Sequence, residues 1–220
     1  MVEINLMKSY PKTENRKQIS ENRKKASTED IRIARQFGKE YFDGDRSQGL
    51  GGYYYDEKYF TPVVKDFIEH YNLDNSSSIL DVGCGKGFML HDFKVALPEA
   101  KIAGIDISKY CIDNTMSSVS EFCITGSCDN LPYPDNSFDL VIAIATIHNL
   151  ELEGVKKSLK EIQRVTKKSA FIKVNGYKNE SEKKDLFEWN LVAKTILHVD
   201  EWKKLFIETG YKGDYYWFTP

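Results

Sequence analysis

The stretch Ile79 to Leu90, ILDVGCGKGFML, does most to limit what this chain can fold into. An apolar strand runs straight into Gly83, Gly85 and Gly87 and from there directly into a helix. This strand, turn and helix lets a ligand approach bare backbone and meet the N–H groups at a helix start. A tight structural turn is the plain alternative for a lone G-x-G-x-G. Two acids sharpen the reading: Asp81 lies in the strand ahead of the glycines, and Asp106 ends the next strand, KIAGID. A carboxylate roughly 20 residues beyond such a turn is placed to accept hydrogen bonds from two ribose hydroxyls.

From Ser78 on, short apolar runs alternate with amphipathic stretches. SILDV, KIAGID, EFCIT, SFDLVIAIA and SAFIKVN read as strands, and KGFMLHDFKVAL, SKYCIDNTM and LEGVKKSLKEIQRV as helices. In the last helix Leu152, Val155, Leu159 and Ile162 share one face. Parallel neighbours need crossover connections, so the chain is expected to be α/β: Rossmann-like, doubly wound, a mostly parallel sheet with helices on both faces. After Asn175 come two amphipathic helices, near Glu180 to Leu197 and Asp200 to Thr209. GYKGDYYWF then forms a C-terminal edge strand, for which an antiparallel course is open.

Upstream, Ser27 or Thr28 caps a helix through EDIRIARQFGKEYF, with Ile33, Phe37 and Tyr41 on one face. Thr61 is expected to cap a second helix with Pro62 at its first position and Val63, Val64, Phe67, Ile68 and Tyr71 buried. The organisation that results is an N-terminal arm, helix and Tyr-rich lid over 1–60 and a main domain over 61–220. Within the latter, 173–212 forms a helical insert.

Net charge is −2, which argues against a broad nucleic-acid surface. Lys8 to Lys25 carries seven Lys or Arg against two Glu, which reads as a solvated arm or a contact for an anionic partner. No apolar run approaches the roughly 18 residues of a membrane span, and the first residues lack the apolar block of a signal peptide. Cys84, Cys111, Cys123 and Cys128 form no CxxC pair and have no His at ligand spacing, so no metal is expected. Reduced thiols fit a cytoplasmic protein. The sequence carries no signal for an oligomeric state.

The choice of ligand rests on charge. A carboxylate beside phosphates is repulsive, so Asp81 suits a ligand carrying an ammonium and a sulfonium better than a dinucleotide. Asp129, in GSCDNLPYPDNSFDLVIA, can accept from an exocyclic amine such as adenine N6. In LDVGCGKG, GIDIS, SCDNLPYPDNSFDLVIA and TIHNL, taken in this order, the chain resembles the class I S-adenosylmethionine-dependent methyltransferases, specifically those acting on small molecules.

The resemblance implies that Gly83, Cys84 and Gly85 line the methionine end of S-adenosylmethionine, with Asp81 near its amino group. It places Asp106 on the ribose, Ile107 and Ser108 beside the adenosine, Asp129 at adenine N6, Asn130 beside the ring and Ala143 near the methionine. Asn130 as a turn residue and Asp139 as a structural acid stay open. His148, just past the fourth strand, is either a general base or a packing residue. AIAT follows that strand where many adenine methyltransferases carry Asn or Asp, Pro, Pro and an aromatic residue, and no Pro-Cys pair occurs there. DNA-base methylation is therefore disfavoured.

The same resemblance makes the N-terminal segment and the insert a roof over the methyl group. Arg46, Tyr53, Tyr54 and Tyr55 belong to one wall, Tyr177 and Trp189, together with His198, to the other. Core packing of these rings is the alternative. The function expected is transfer of a methyl group to O or N of a small polar acceptor, leaving S-adenosylhomocysteine. A non-catalytic binding module and a methyltransferase acting on a macromolecule are the competing readings.

Overall fold

A computed structural model describes residues 1–12 and 16–219, so part of the basic stretch from Lys8 to Lys25 lies outside the described residues. The strands are β1 (Ser78–Val82), β2 (Lys101–Asp106), β3 (Cys123–Thr125), β4 (Phe138–Ile144), β5 (Thr166–Tyr177), β6 (Leu197–His198) and β7 (Asp214–Phe218). They form one sheet in the order β3-β2-β1-β4-β5-β6, with β7 also pairing β5. The doubly wound α/β expectation is met, and the sheet pairs throughout in parallel.

The open question of the last strand resolves as parallel, with Phe171 opposite Asp214 and Asn175 opposite Phe218. The reason is the helix α9 (Val199–Thr209), which carries the chain from β6 back to the starting end of the sheet before β7 begins. Beyond β7 the N-terminus adds a short edge. The Tyr215 amide donates to the Val2 carbonyl at 3.0 Å and the Ile4 amide to the Tyr215 carbonyl at 2.9 Å, covering backbone groups that an edge strand leaves unpaired.

Strand residues alternate between two cores, as a period of 2 requires. Ile79, Leu140, Ile142 and Phe171 face α4 (Glu57–Tyr71) and α5 (Phe88–Ala96), where Val63, Phe67, Leu90 and Phe93 are buried. Leu80, Val141, Ala143 and Ile172 face α7 (Leu152–Val165) and α9, where Val155, Leu159, Ile162, Trp202 and Phe206 complete the packing. Asp139 is structural: it accepts from the Ser78 amide at 2.9 Å and the Ser78 hydroxyl at 2.8 Å, tying β4 to β1. Although burial works against ionisation, Lys168 and Ser78 hold its carboxyl well below the usual range.

Several boundaries differ from the sequence reading. The Asp56 carboxylate caps α4 through the Lys58 amide at 3.1 Å, so the helix starts at Glu57 and Pro62 lies inside it. The acid ahead of EKYF adds a full turn before Thr61. Ser27 does cap α2 (Thr28–Ala34), in a reciprocal box with Asp30, but the helix does not run on to Tyr41. Phe37 adopts φ 50°, the left-handed region, and the chain restarts as α3 (Lys39–Asp43). Ahead of these lies α1 (Arg16–Lys24), and α6 (Lys109–Asp113) follows β2. The insert helix α8 (Glu180–Trp189) stops eight residues short of Leu197, at Asn190, whose side chain caps the turn by bonding Ala193 in both directions. Among the described residues no helix is long and apolar enough to cross a membrane.

Candidate functional site

The carboxyl ends of β1, β2 and β4 meet at a rim built around the glycines. Gly83 has φ 85° and its amide donates to Ile105 O at 2.7 Å. A Cβ there would fall 2.0 Å from Thr146 Oγ1, so only glycine fits. Asp106 braces the turn, accepting from the Gly85 amide and from the Ser108 amide, both at 2.8 Å. Each carboxylate oxygen keeps capacity for another donor. Burial raises the Asp106 carboxyl above its ordinary value, opposed by these two amides.

A cavity of about 440 Å³ opens on this rim. Gly83, Gly85, Asp106, Ile107, Ser127 and Thr146 line its floor. Phe37, Tyr41, Phe42 and Tyr53 close it from the N-terminal segments. Past β4, Ala145 lines it with φ 57°, a costly backbone state for a residue with a Cβ. Asn149 lines it too, and its side-chain carbonyl is buried without a partner among the described residues. A buried acceptor left unpaired calls for a donor from a ligand.

Asp81 is 6% exposed, and its carboxyl is pushed up to about 7 by burial and then by the neighbouring Asp106 charge. The Cys84 side chain turns into the sheet: a Cβ at Gly104 would lie 2.8 Å from its sulfur and 2.9 Å from that of Cys123. Ser108 is buried and donates its hydroxyl to Phe37 O at 2.5 Å, fastening the left-handed Phe37 turn to the rim. Asp129 accepts from the Ser127 hydroxyl at the cavity's border, and Asn130 is exposed beyond it. Arg164 holds this loop by donating to Leu131 O at 2.9 Å and Tyr133 O at 2.7 Å. Ala143 sits fully buried among the α7-side core residues, one position short of the lining, which begins at Ile144.

His148 lines neither cavity described here. It is 4% exposed, and its Nδ1 accepts from the Asn175 amide at 3.2 Å. Burial, and then Lys173, lower its proton affinity to a pKa of about 3. Through this contact His148 links the segment that follows β4 to β5.

A second, larger cavity of about 690 Å³ shares only Leu50 and Tyr53 with the first. Tyr53 is the partition: its ring lies 3.0 Å from where a Gly85 Cβ would be and packs on Phe88 with centroids 4.7 Å apart. Arg46, Tyr54 and Trp189, expected on opposite walls, line this one cavity together, and Arg23 joins them. Tyr55 and Tyr177 lie elsewhere. The Tyr55 hydroxyl donates to Asp92 at 2.6 Å, and Tyr177 packs edge-on against His198.

Lys86 fastens the segment that carries Asp43 and Tyr53 to the glycine turn. Lys86, inside GCGKG, donates to Asp43 at 2.6 Å and to Tyr53 O at 3.0 Å, while the Tyr110 hydroxyl donates to Asp43 at 2.5 Å. Asp43 also accepts from the Tyr53 amide at 2.9 Å. Lys86 and Asp43 side chains are only 9% and 12% exposed, so this pair is shielded from solvent. Its sequence signal is faint: a lysine among glycines, and an acid in FDGD with no periodicity to place it.

Residues 80–173 match the family model described as "Methyltransferase domain". Among curated proteins, a tRNA (carboxymethyluridine(34)-5-O)-methyltransferase of Arabidopsis thaliana is 34% identical over 144 residues, 64% of this chain and 33% of that protein. A sterol 24-C-methyltransferase of Gibberella zeae is 36% identical over 113 residues, 45% of this chain and 28% of that protein. The chain thus spans about a third of the length of these relatives. Among solved structures, the YcgJ protein of Bacillus subtilis superposes with a TM-score of 0.54 at 19% identity, covering 66% of each chain, a likeness of fold.

Proposed function

We propose that this chain, whose residues 80–173 are a class I S-adenosylmethionine-dependent methyltransferase domain, transfers a methyl group to O or N of a small polar acceptor. One observation carries the reading: two cavities adjoin across Tyr53, one on the glycine rim and the other walled by aromatic and cationic side chains. The first suits the cofactor and the second an acceptor.

The residues of the rim fit S-adenosylmethionine. Gly83 and Gly85 leave room for its methionine portion, and Asp106 has acceptor capacity for ribose hydroxyls. Asp81, buried and short of positive partners, gains a counter-charge from the ligand's ammonium. Ile107, Ser108 and Asp129 border the adenosine in this reading, and the orphaned Asn149 carbonyl meets a ligand N–H. When bound, the cofactor supplies an activated methyl on a sulfonium. The chain's own part is alignment and exclusion of water by Phe37, Phe42 and Tyr53. His148 braces the site and takes no proton.

A second reading, transfer to a nucleoside within RNA, is favoured by the printed activity of the Arabidopsis thaliana relative. Thermal stabilisation by S-adenosylhomocysteine, followed by transfer of labelled methyl to a pool of small metabolites and, separately, to total tRNA, tests both. Stabilisation with label in the small-molecule pool is expected. Label in tRNA alone establishes the second reading, stabilisation without transfer makes the chain a binding module, and no stabilisation overturns the cofactor site.

A further inference from the structure

Arg23 is the least explained group in the molecule. It stands near the end of α1, half-buried, with its guanidinium 4.2 Å over the Trp189 ring and one nitrogen 3.4 Å from Trp189 O. Its Nε is buried and meets no acceptor among the described residues. Burial weakens Arg23's hold on its proton, Tyr41 opposes this, and the charge of Arg46 adds to it. Arg46 itself donates to Leu50 O. Among the described residues neither guanidinium has a carboxylate within ion-pair distance, whereas Lys24, next to Arg23, is paired with Glu188 at 2.7 Å.

Two guanidinium groups facing one cavity without a counter-ion repel each other, and a buried N–H left unpaired costs roughly 1–3 kcal/mol. An anion between them removes both penalties, because the guanidinium fork matches carboxylate and phosphate oxygens. The remaining lining sets the body of the ligand. Tyr10, Tyr54, Tyr59, Phe88 and Trp189 offer ring faces, and burial then Tyr59 push the Tyr10 hydroxyl up to about 12, so it stays a neutral donor. At about 690 Å³ the cavity lies within the range of small-molecule sites. Lys12 and Lys58 add two further cations to the lining, and its carboxylate, Asp56, is held by Lys58 at 2.6 Å.

We infer that the acceptor taken by the larger cavity is a small organic anion with a flat aromatic body, its charge gripped between Arg23 and Arg46 and its ring stacked on the tyrosines and Trp189. The inference rests on the methyltransferase reading above and names the class of its acceptor. The anionic group is a carboxylate or a phosphate monoester, and Tyr53 meets the end of the molecule that points to the glycine rim.

Calorimetric titration of the full chain saturated with S-adenosylhomocysteine tests this with naphthoate, naphthyl phosphate and uncharged naphthamide as probes. At least one anion is expected to bind about tenfold or more tightly than naphthamide, and to lose about tenfold in Arg23→Gln and in Arg46→Gln. Which anion wins identifies the group. Affinity for S-adenosylhomocysteine is expected to stay within about twofold in both variants, since neither touches the rim. Equal binding of naphthamide, or anion binding unchanged in Arg46→Gln, overturns the inference while leaving the cofactor reading intact. Arg46 is exposed, so that variant stays informative should loss of the Trp189 stack unfold Arg23→Gln. Failure of the unmodified chain to bind S-adenosylhomocysteine strikes the underlying reading instead.

Discussion

The glycine rim and the aromatic wall that faces it are built of opposite materials. The rim is backbone: Gly83 and Gly85 in left-handed conformations, amide groups braced on Asp106, and ligand space created by missing side chains. The wall is side chain, gathered from α1, the lid, α4 and α8, segments more than 160 residues apart at Arg23 and Trp189. A surface of the first kind tolerates almost no substitution, because each atom added fills the site. One of the second kind can change its ligand one residue at a time.

The largest effect that can break the contrast is Gly83→Ala. With φ at 85° and a Cβ contact of 2.0 Å, the variant must distort the β1 turn or push Thr146 aside. Binding of S-adenosylhomocysteine should fall by about a hundredfold or more, while Arg46→Gln leaves it unchanged. Near-normal binding in Gly83→Ala would mean that the rim is as adaptable as the wall.

A middle-sized effect concerns pH. Asp81 is pushed up to about 7 in the free protein, so below that pH a cationic ligand must first displace a proton. Affinity for S-adenosylhomocysteine is expected to drop toward tenfold per pH unit below about 7, and the slope should vanish in Asp81→Asn. The sign for stability runs the other way. The folded carboxyl binds its proton more tightly than the ordinary value of 3.8 allows, so the ligand-free protein gains stability as pH falls from about 7 toward 4. Asp81→Asn at pH about 8 should accordingly melt higher than the parent, without ligand. A lower melting temperature there counts against a desolvated charge at this position.

The smallest effect belongs to the latch between the two surfaces. Lys86→Met leaves Asp43 without its cation and frees α3, costing about 1–3 kcal/mol by chemical denaturation. Hydrogen exchange at α2 and α3 should quicken, with the sheet amides unaffected. Uniform exchange would show lid and sheet to be one cooperative unit.

Legibility in the sequence divides along the same line. A mostly parallel sheet with helices on both faces, Asp106 at the tip of β2 and the glycine turn could all be read, since each follows from a local period or a local steric rule. Asp43, Lys86 and Arg23 could not, because their roles arise from partners distant in sequence. Helix starts failed where one acid outcompeted another cap, at Asp56, and the helix through Phe37 failed because Ser108 holds its carbonyl in a left-handed turn. Ala143 was expected at the site and lies in the core, one pleat short of Ala145. His148 carried no sequence signal for its partner, the Asn175 amide on β5.

The short N-terminal edge on β7 also sets an order of events. Val2 bonds Asp214 across a separation of 212 residues, and the α1 to α8 contacts are nearly as remote. During synthesis the first residues therefore wait, unpaired, for strands made long after them. The glycine rim needs only neighbours that emerge together and can form early. The larger cavity needs Arg23 and Trp189 together, so its wall is completed only once α8 has been made.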